Sequence, residues 1–198
     1  MAEETTLACA RARSDLAQKA PSRDEVRKLS LAGMACADEC LKIRPQESRC
    51  LYWRAVNRGL LLETGLVNPK PHLKKLVTDF KRASELEPAL DGAGALRALG
   101  YIYLKLPAVS LWGEGYSRDL SQAKAYASQA LRLDKTHPEN WQLAGEIAFA
   151  EKEFKTARNN FKEALKWLKK SNQPPSEKGK KIVEIEKWIK RSELKLRS

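Results

Sequence analysis

The residues of this chain most able to do chemistry are four cysteines, Cys9, Cys36, Cys40 and Cys50, all within the first fifty positions. An even number of cysteines allows three pairings. Cys40 and Cys50 flank the turn "LKIRPQESR", which brings their Cα atoms toward disulfide range. Cys9 and Cys36 are then left to pair between two neighbouring helices. Cys36 and Cys40 lie one helical turn apart, with both thiols on one face, yet a zinc site would need two more ligands. The alternatives are therefore structural disulfides, which require an oxidising compartment, or reduced buried thiols. The two histidines, His72 and His137, have no neighbour in sequence that suggests a general base or a metal ligand. Glu151 and Glu153 read as a solvated turn. No Gly-x-Ser-x-Gly elbow, phosphate-binding glycine loop or His-Glu-x-x-His is present. The expectation is a protein that is not an enzyme and carries no metal and no cofactor.

The elements that must position these residues are helical. At 198 residues, with 42% hydrophobic and 7% aromatic residues, the chain is long enough for a real core. Ala, Leu, Lys, Glu and Arg dominate and alternating β-branched runs are missing, so the fold class expected is all-α. No stretch approaches the length of a membrane span, and the first twenty residues lack a signal-peptide core. The net charge of +12 is uneven: from Glu151 onward there are fifteen Lys and Arg against seven Glu. Those charges are interspersed and no nucleic-acid motif accompanies them, which favours a solvated helix surface over a nucleic-acid partner.

A repeat organises the chain. Ala123 and Ala157 are 34 residues apart, as are Ala130 and Ala164, and each pair holds an equivalent helix position. "WQLAGEIAFAEKEFKTARNNFKEAL" supplies Trp141, Gly145 and Ala148, then Phe154, Ala157, Phe161 and Ala164, and "LRALGYIY" supplies Leu96, Leu99, Gly100 and Tyr103. This pattern resembles the tetratricopeptide repeat. The expected architecture is a right-handed solenoid of about four antiparallel helix pairs over 1–170, a linker at 171–179 and a basic capping helix over 180–198. Within it, helices are expected near 3–19, 24–43 with Ser22 or Asp24 as N-cap, 47–63 and 72–87. Leu96 and Trp141 are 45 residues apart rather than 34, so eleven extra residues lie inside one repeat, at "PAVSLWGEGYSRD". About seven more lie at "TGLVNPKPH". The two lengthened turns, near 107–119 and 64–71, are expected on one edge of the solenoid, with Trp112 as a plug or a lid.

The stretches "CLKIRPQESRCLYWRAVNRGL", "ASELEPALDGAGALRALGYIYLKLP" and "AKAYASQALRLDKTHPENWQLAGE" look like a group of bacterial repeat proteins. That group is similar to the TRAP-transporter-associated tetratricopeptide lipoproteins and to the repeat domain of the regulator of microtubule dynamics family. The resemblance implies an extracytoplasmic helper that binds a small organic ligand or a transporter's solute-binding component. The chain departs from the transporter-associated group in showing no lipobox. In tetratricopeptide proteins the concave face is lined by first-helix residues, which carry over to Arg54, Arg58, Arg97, Tyr101, Lys105, Gln142, Glu146 and Phe149. Three arginines and a lysine favour a carboxylate guest. Asn57 stands where Gly100 and Gly145 stand in later repeats and needs a hydrogen-bond partner. The function expected is a non-enzymatic scaffold, periplasmic or otherwise exported, that binds a protein segment or a small acidic ligand. The alternatives are an oligomer-forming structural protein and a cytoplasmic location.

Overall fold

A computed structural model describes residues 2–109 and 116–197, with side chains from Glu4 onward. Among the described residues there are nine α-helices and no strand: the protein is all-α. No helix is long and apolar enough to cross a membrane. The chain divides between Leu90 and Asp91 into two compact units.

The first unit contains α1 (Ala2–Ala17), α2 (Arg23–Ile43), α3 (Ser48–Glu63) and α4 (Pro69–Leu86). Short turns make successive helices antiparallel neighbours; α1 packs on α2 and α3, α2 on α3, and α3 on α4. Ser22 caps α2, its hydroxyl accepting from the Glu25 N–H at 3.2 Å. Helix α4 starts at Pro69, three residues before the start expected from sequence. Asn68 accepts from the Lys70 N–H at 3.1 Å, and a proline in the first turn lacks only an N–H that would have no helical partner. The last three residues of the expected loop, 69–71, are thus helix. The apolar face of α4, with Leu73, Leu76, Val77, Phe80 and Ala83 buried, follows the 3.6-residue period.

Small residues dominate the α1–α3 contact, with Ala10, Ala37 and Ala55 fully buried. Such close packing leaves little apolar bulk, and covalent bonds supplement it. Cys9–Cys36 joins α1 to α2 and Cys40–Cys50 joins α2 to α3, with Cα separations of 6.0 and 6.3 Å. No cysteine remains free. Asn57, fully buried, donates through Nδ2 to the carbonyls of Ala10 at 2.9 Å and Trp53 at 2.8 Å. Its place in the repeat is therefore structural: it ties α3 to α1, in space that a Cβ on Gly33 would occupy.

The second unit takes in α5 (Leu90–Lys105) from its second residue, then α6 (Leu120–Leu133), α7 (Pro138–Ala150), α8 (Phe154–Lys170) and α9 (Pro175–Arg197). The expected repeat pairs Ala123 with Ala157 and Ala130 with Ala164 are all fully buried. Tyr103 of α5 stacks on Tyr126 of α6 with ring centroids 5.9 Å apart. A Cβ at Gly145 would lie 2.6 Å from the Phe161 ring, so α7 and α8 approach as closely as they do only with glycine there. Phe161 in turn stacks on Trp188 of α9 at 5.5 Å, and Ile185 of α9 is 1% exposed. Helix α9 begins at Pro175 rather than near 180, because its proline again sits in the first turn; the connection from α8 shrinks to four residues.

Two local features of this unit escape the sequence pattern. Asp91, Gly92 and Ala93 all have left-handed φ, at 53°, 59° and 67°, so the regular part of α5 starts after them. The α5–α6 connection is tied at its base: Arg118 N–H donates to the Pro107 carbonyl at 2.7 Å and Asp119 N–H to that of Tyr103 at 3.0 Å. Trp112 lies outside the described residues.

Candidate functional site

The first-helix residues expected to line a binding face fall into two groups, one in each unit. In the first unit, Arg54 and Arg58 stand four residues apart on α3, so both project toward one side of the helix. Both converge on Asp79 of α4, which is 5% exposed. Arg54 donates to it from Nε at 2.9 Å and from Nη2 at 2.7 Å, a two-pronged grip, while Nη1 reaches Asp38 of α2 at 2.8 Å. Arg58 donates to Asp79 through Nη1, and its buried Nε has no partner among the described residues. Burial works against the Arg54 charge, but Asp79 and Asp38 outweigh it and hold the guanidinium protonated. His72 is driven below its usual pKa, first by burial and then by the charges of Arg58 and Lys75. Two guanidiniums thus share one buried carboxylate, and the half-exposed Asp38 is the other counter-charge in contact.

In the second unit, Arg97, which the repeat expected from sequence aligns with Arg54, has closed surroundings. It is 8% exposed. Its Nη1 donates to the Gly92 carbonyl and to Asn140 Oδ1, each at 3.0 Å, and its Nη2 to the Asp91 carbonyl at 3.3 Å. The carboxylates of Asp91 and Glu139 complete the shell at 3.5 and 3.3 Å. Asn140, fully buried, donates to the carbonyls of Gly92, Asp134 and Ala130. Three successive left-handed residues, two of them with a Cβ, cost about 1–2 kcal/mol for each non-glycine. Arg97 and Asn140 hold that turn in place by binding its carbonyls. The packing also fixes the middle residue, since a Cβ on Gly92 would sit 2.3 Å from His137.

Tyr101, Lys105, Gln142 and Glu146 do come together. Tyr101 hydroxyl donates to Glu146 Oε1 at 3.3 Å, Gln142 Nε2 donates to the same oxygen at 3.2 Å, and the Lys105 ammonium lies 4.8 Å from the Tyr101 ring centroid. Burial raises the Glu146 carboxyl above its usual range, with Lys105 opposing. Burial, then the charges of Glu146 and Glu139, push the Tyr101 hydroxyl well up. Helix α9 adds residues that the sequence did not flag: Glu184 accepts from Gln142 at 3.1 Å and Lys181 donates to Glu139 at 2.6 Å. Glu139 is disfavoured as an anion by burial, yet Arg97 and Lys181 outweigh this and keep its pKa low. Phe149 packs edge-on against Trp188 at 5.2 Å, which makes it part of the α7–α9 contact.

Asp79, Glu139 and Asn140 were missed because nothing in their local sequence marks them; each acquires its role from a partner at least six positions away. Among the described residues no group of three His, Cys, Asp or Glu side chains is placed to hold a metal ion. Compared with known proteins, the chain matches no family model and no curated protein sequence.

Proposed function

We propose that this protein is a non-enzymatic helical-repeat scaffold of tetratricopeptide type that captures an acidic group, on a peptide or a small molecule, at Arg54 and Arg58. The observation that carries this reading is that Arg54 and Arg58 share the buried carboxylate of Asp79, so that the second counter-charge of the pair is the half-exposed, displaceable Asp38. Arg54 retains 22% side-chain exposure, so an incoming carboxylate can reach it. Such a guest could displace the half-exposed Asp38 and form a two-pronged contact. Arg97, by contrast, is saturated by its own chain and contributes order. The two disulfides support a working place in an oxidising, exported compartment.

The test is calorimetric titration of the intact protein with citrate and with a glutamate decapeptide. Arg54→Gln should weaken binding of at least one of them tenfold or more, while Lys28→Gln, on exposed α2 surface, leaves it unchanged. Absence of binding to both probes, or equal affinity in the Arg54 variant, overturns the reading. Four free thiols in protein from its native source would overturn the exported location.

A further inference from the structure

The second unit has a strongly basic end that the proposed acidic-guest site does not use. Helices α6 and α8 are each antiparallel to α7, so their C-termini emerge at the same end, and the short 171–174 turn starts α9 there too. That end carries Arg132 in the last turn of α6 and Lys135 just after it, Lys169 and Lys170 closing α8, and Lys178 and Lys180 opening α9. None of these six has a carboxylate within ion-pair distance among the described residues. The acids nearby are otherwise engaged. Asp134 accepts from Thr136 and the His137 N–H, Glu139 is paired with Arg97 and Lys181, and Glu163 is paired with Lys166. Glu177 also has a partner.

Two apolar groups sit among these cations. Leu133, the last residue of α6, is 45% exposed. Trp167 is partly exposed, and the ammonium groups of Lys166 and Lys170 lie 5.4 and 5.2 Å from its ring centroid. The two side chains are 34 positions apart and so stand at the same place on neighbouring second helices. A tryptophan ringed by lysines suits the headgroup layer of a bilayer, where the indole sits at the apolar boundary and ammonium groups reach anionic phosphates.

We propose that this end of the second unit docks on the surface of an anionic lipid bilayer, with Trp167 and Leu133 as shallow anchors and five of these cations as the electrostatic attachment, Lys178 being held by the Ser171 carbonyl at 2.6 Å. No spanning helix is needed; the contact is peripheral and reversible. An acidic protein would meet the same charges, but the partly exposed indole and Leu133 stand interspersed with the ammonium groups, as a headgroup layer with its apolar boundary requires. A lipid interface accounts for both.

The test is sedimentation of the full chain with vesicles of phosphatidylcholine alone and with 30% phosphatidylglycerol. Binding is expected only to the anionic vesicles and should fall with rising salt. Lys169→Ala with Lys170→Ala should weaken it about 25-fold, taking about fivefold per cation near the surface, and Trp167→Ala should weaken it further. Arg27→Ala with Lys28→Ala, on exposed α2, should have no effect. A circular-dichroism melt of each variant shows that it remains folded. Equal binding to neutral vesicles, no binding to either, or equal loss in both double variants overturns the proposal. So does a glutamate decapeptide bound at this end while vesicles are ignored.

Discussion

Arg54 and Arg97, which the repeat expected from sequence aligns, have opposite fates. Arg54 shares Asp79 with a second arginine and stays partly open to solvent. Arg97 is enclosed by two carboxylates, an asparagine and two backbone carbonyls. The difference teaches that a place in the sequence pattern does not decide whether a charge is available; the neighbouring helices do. A parallel contrast holds for what keeps each unit together. Among α1, α2 and α3 the first relies on two disulfides across closely packed small residues; the second has no cysteine, and α8 and α9 meet through Phe161, Trp188 and Ile185 instead.

Reduction is the largest lever on this contrast. Breaking both disulfides should cost the first unit about 5 kcal/mol and leave the second intact. Hydrogen exchange read helix by helix should show α1–α3 losing protection while α7–α9 keep theirs; uniform loss would mean that the two units do not melt separately. Next, Arg97→Ala should destabilise the second unit by about 3 kcal/mol, since it leaves the fully buried Asn140 Oδ1 without its donor and frees the Asp91 carbonyl of the left-handed turn, while Glu139 keeps Lys181. A denaturant midpoint unchanged from the parent would remove Arg97 from its structural role. Arg54→Ala should cost only about 1 kcal/mol, because Arg58 still pairs with Asp79 and Arg54 is partly solvated; a loss as large as that at Arg97 would erase the distinction.

The smallest effect expected is on pH. Burial, reinforced by Arg97, holds His137 below its usual pKa of 6.5. The unfolded chain therefore binds its proton first, and stability present above pH 6.5 declines as pH falls below it. His137→Gln should flatten that slope in melts between pH 7 and 5, and an unchanged slope would assign it to another group.

Much of this architecture is legible in the sequence. The 34-residue spacing marks Ala123, Ala130, Ala157 and Ala164, all fully buried, and Ser22 announces the start of α2. Cysteine positions on either side of one turn suggest the pairing that forms. Less legible are the helix starts at Pro69 and Pro175, since proline punctuates a loop and opens a helix equally well. Legible least of all are the partners that decide the site. Asp79, Glu139 and Asn140 are ordinary polar residues along the chain, and burial beside a distant arginine is what changes their meaning. The left-handed turn at Asp91–Ala93 has only Gly92 as its local sign.

The base of the α5–α6 connection has a consequence for how such a chain can change. Because Pro107 and Tyr103 clasp Arg118 and Asp119 directly, the chain departs from and rejoins the helical layer at a single closed point. The register between the end of α5 and the start of α6 is therefore set by main-chain bonds, which no side-chain substitution at these positions removes directly, short of proline at 118 or 119.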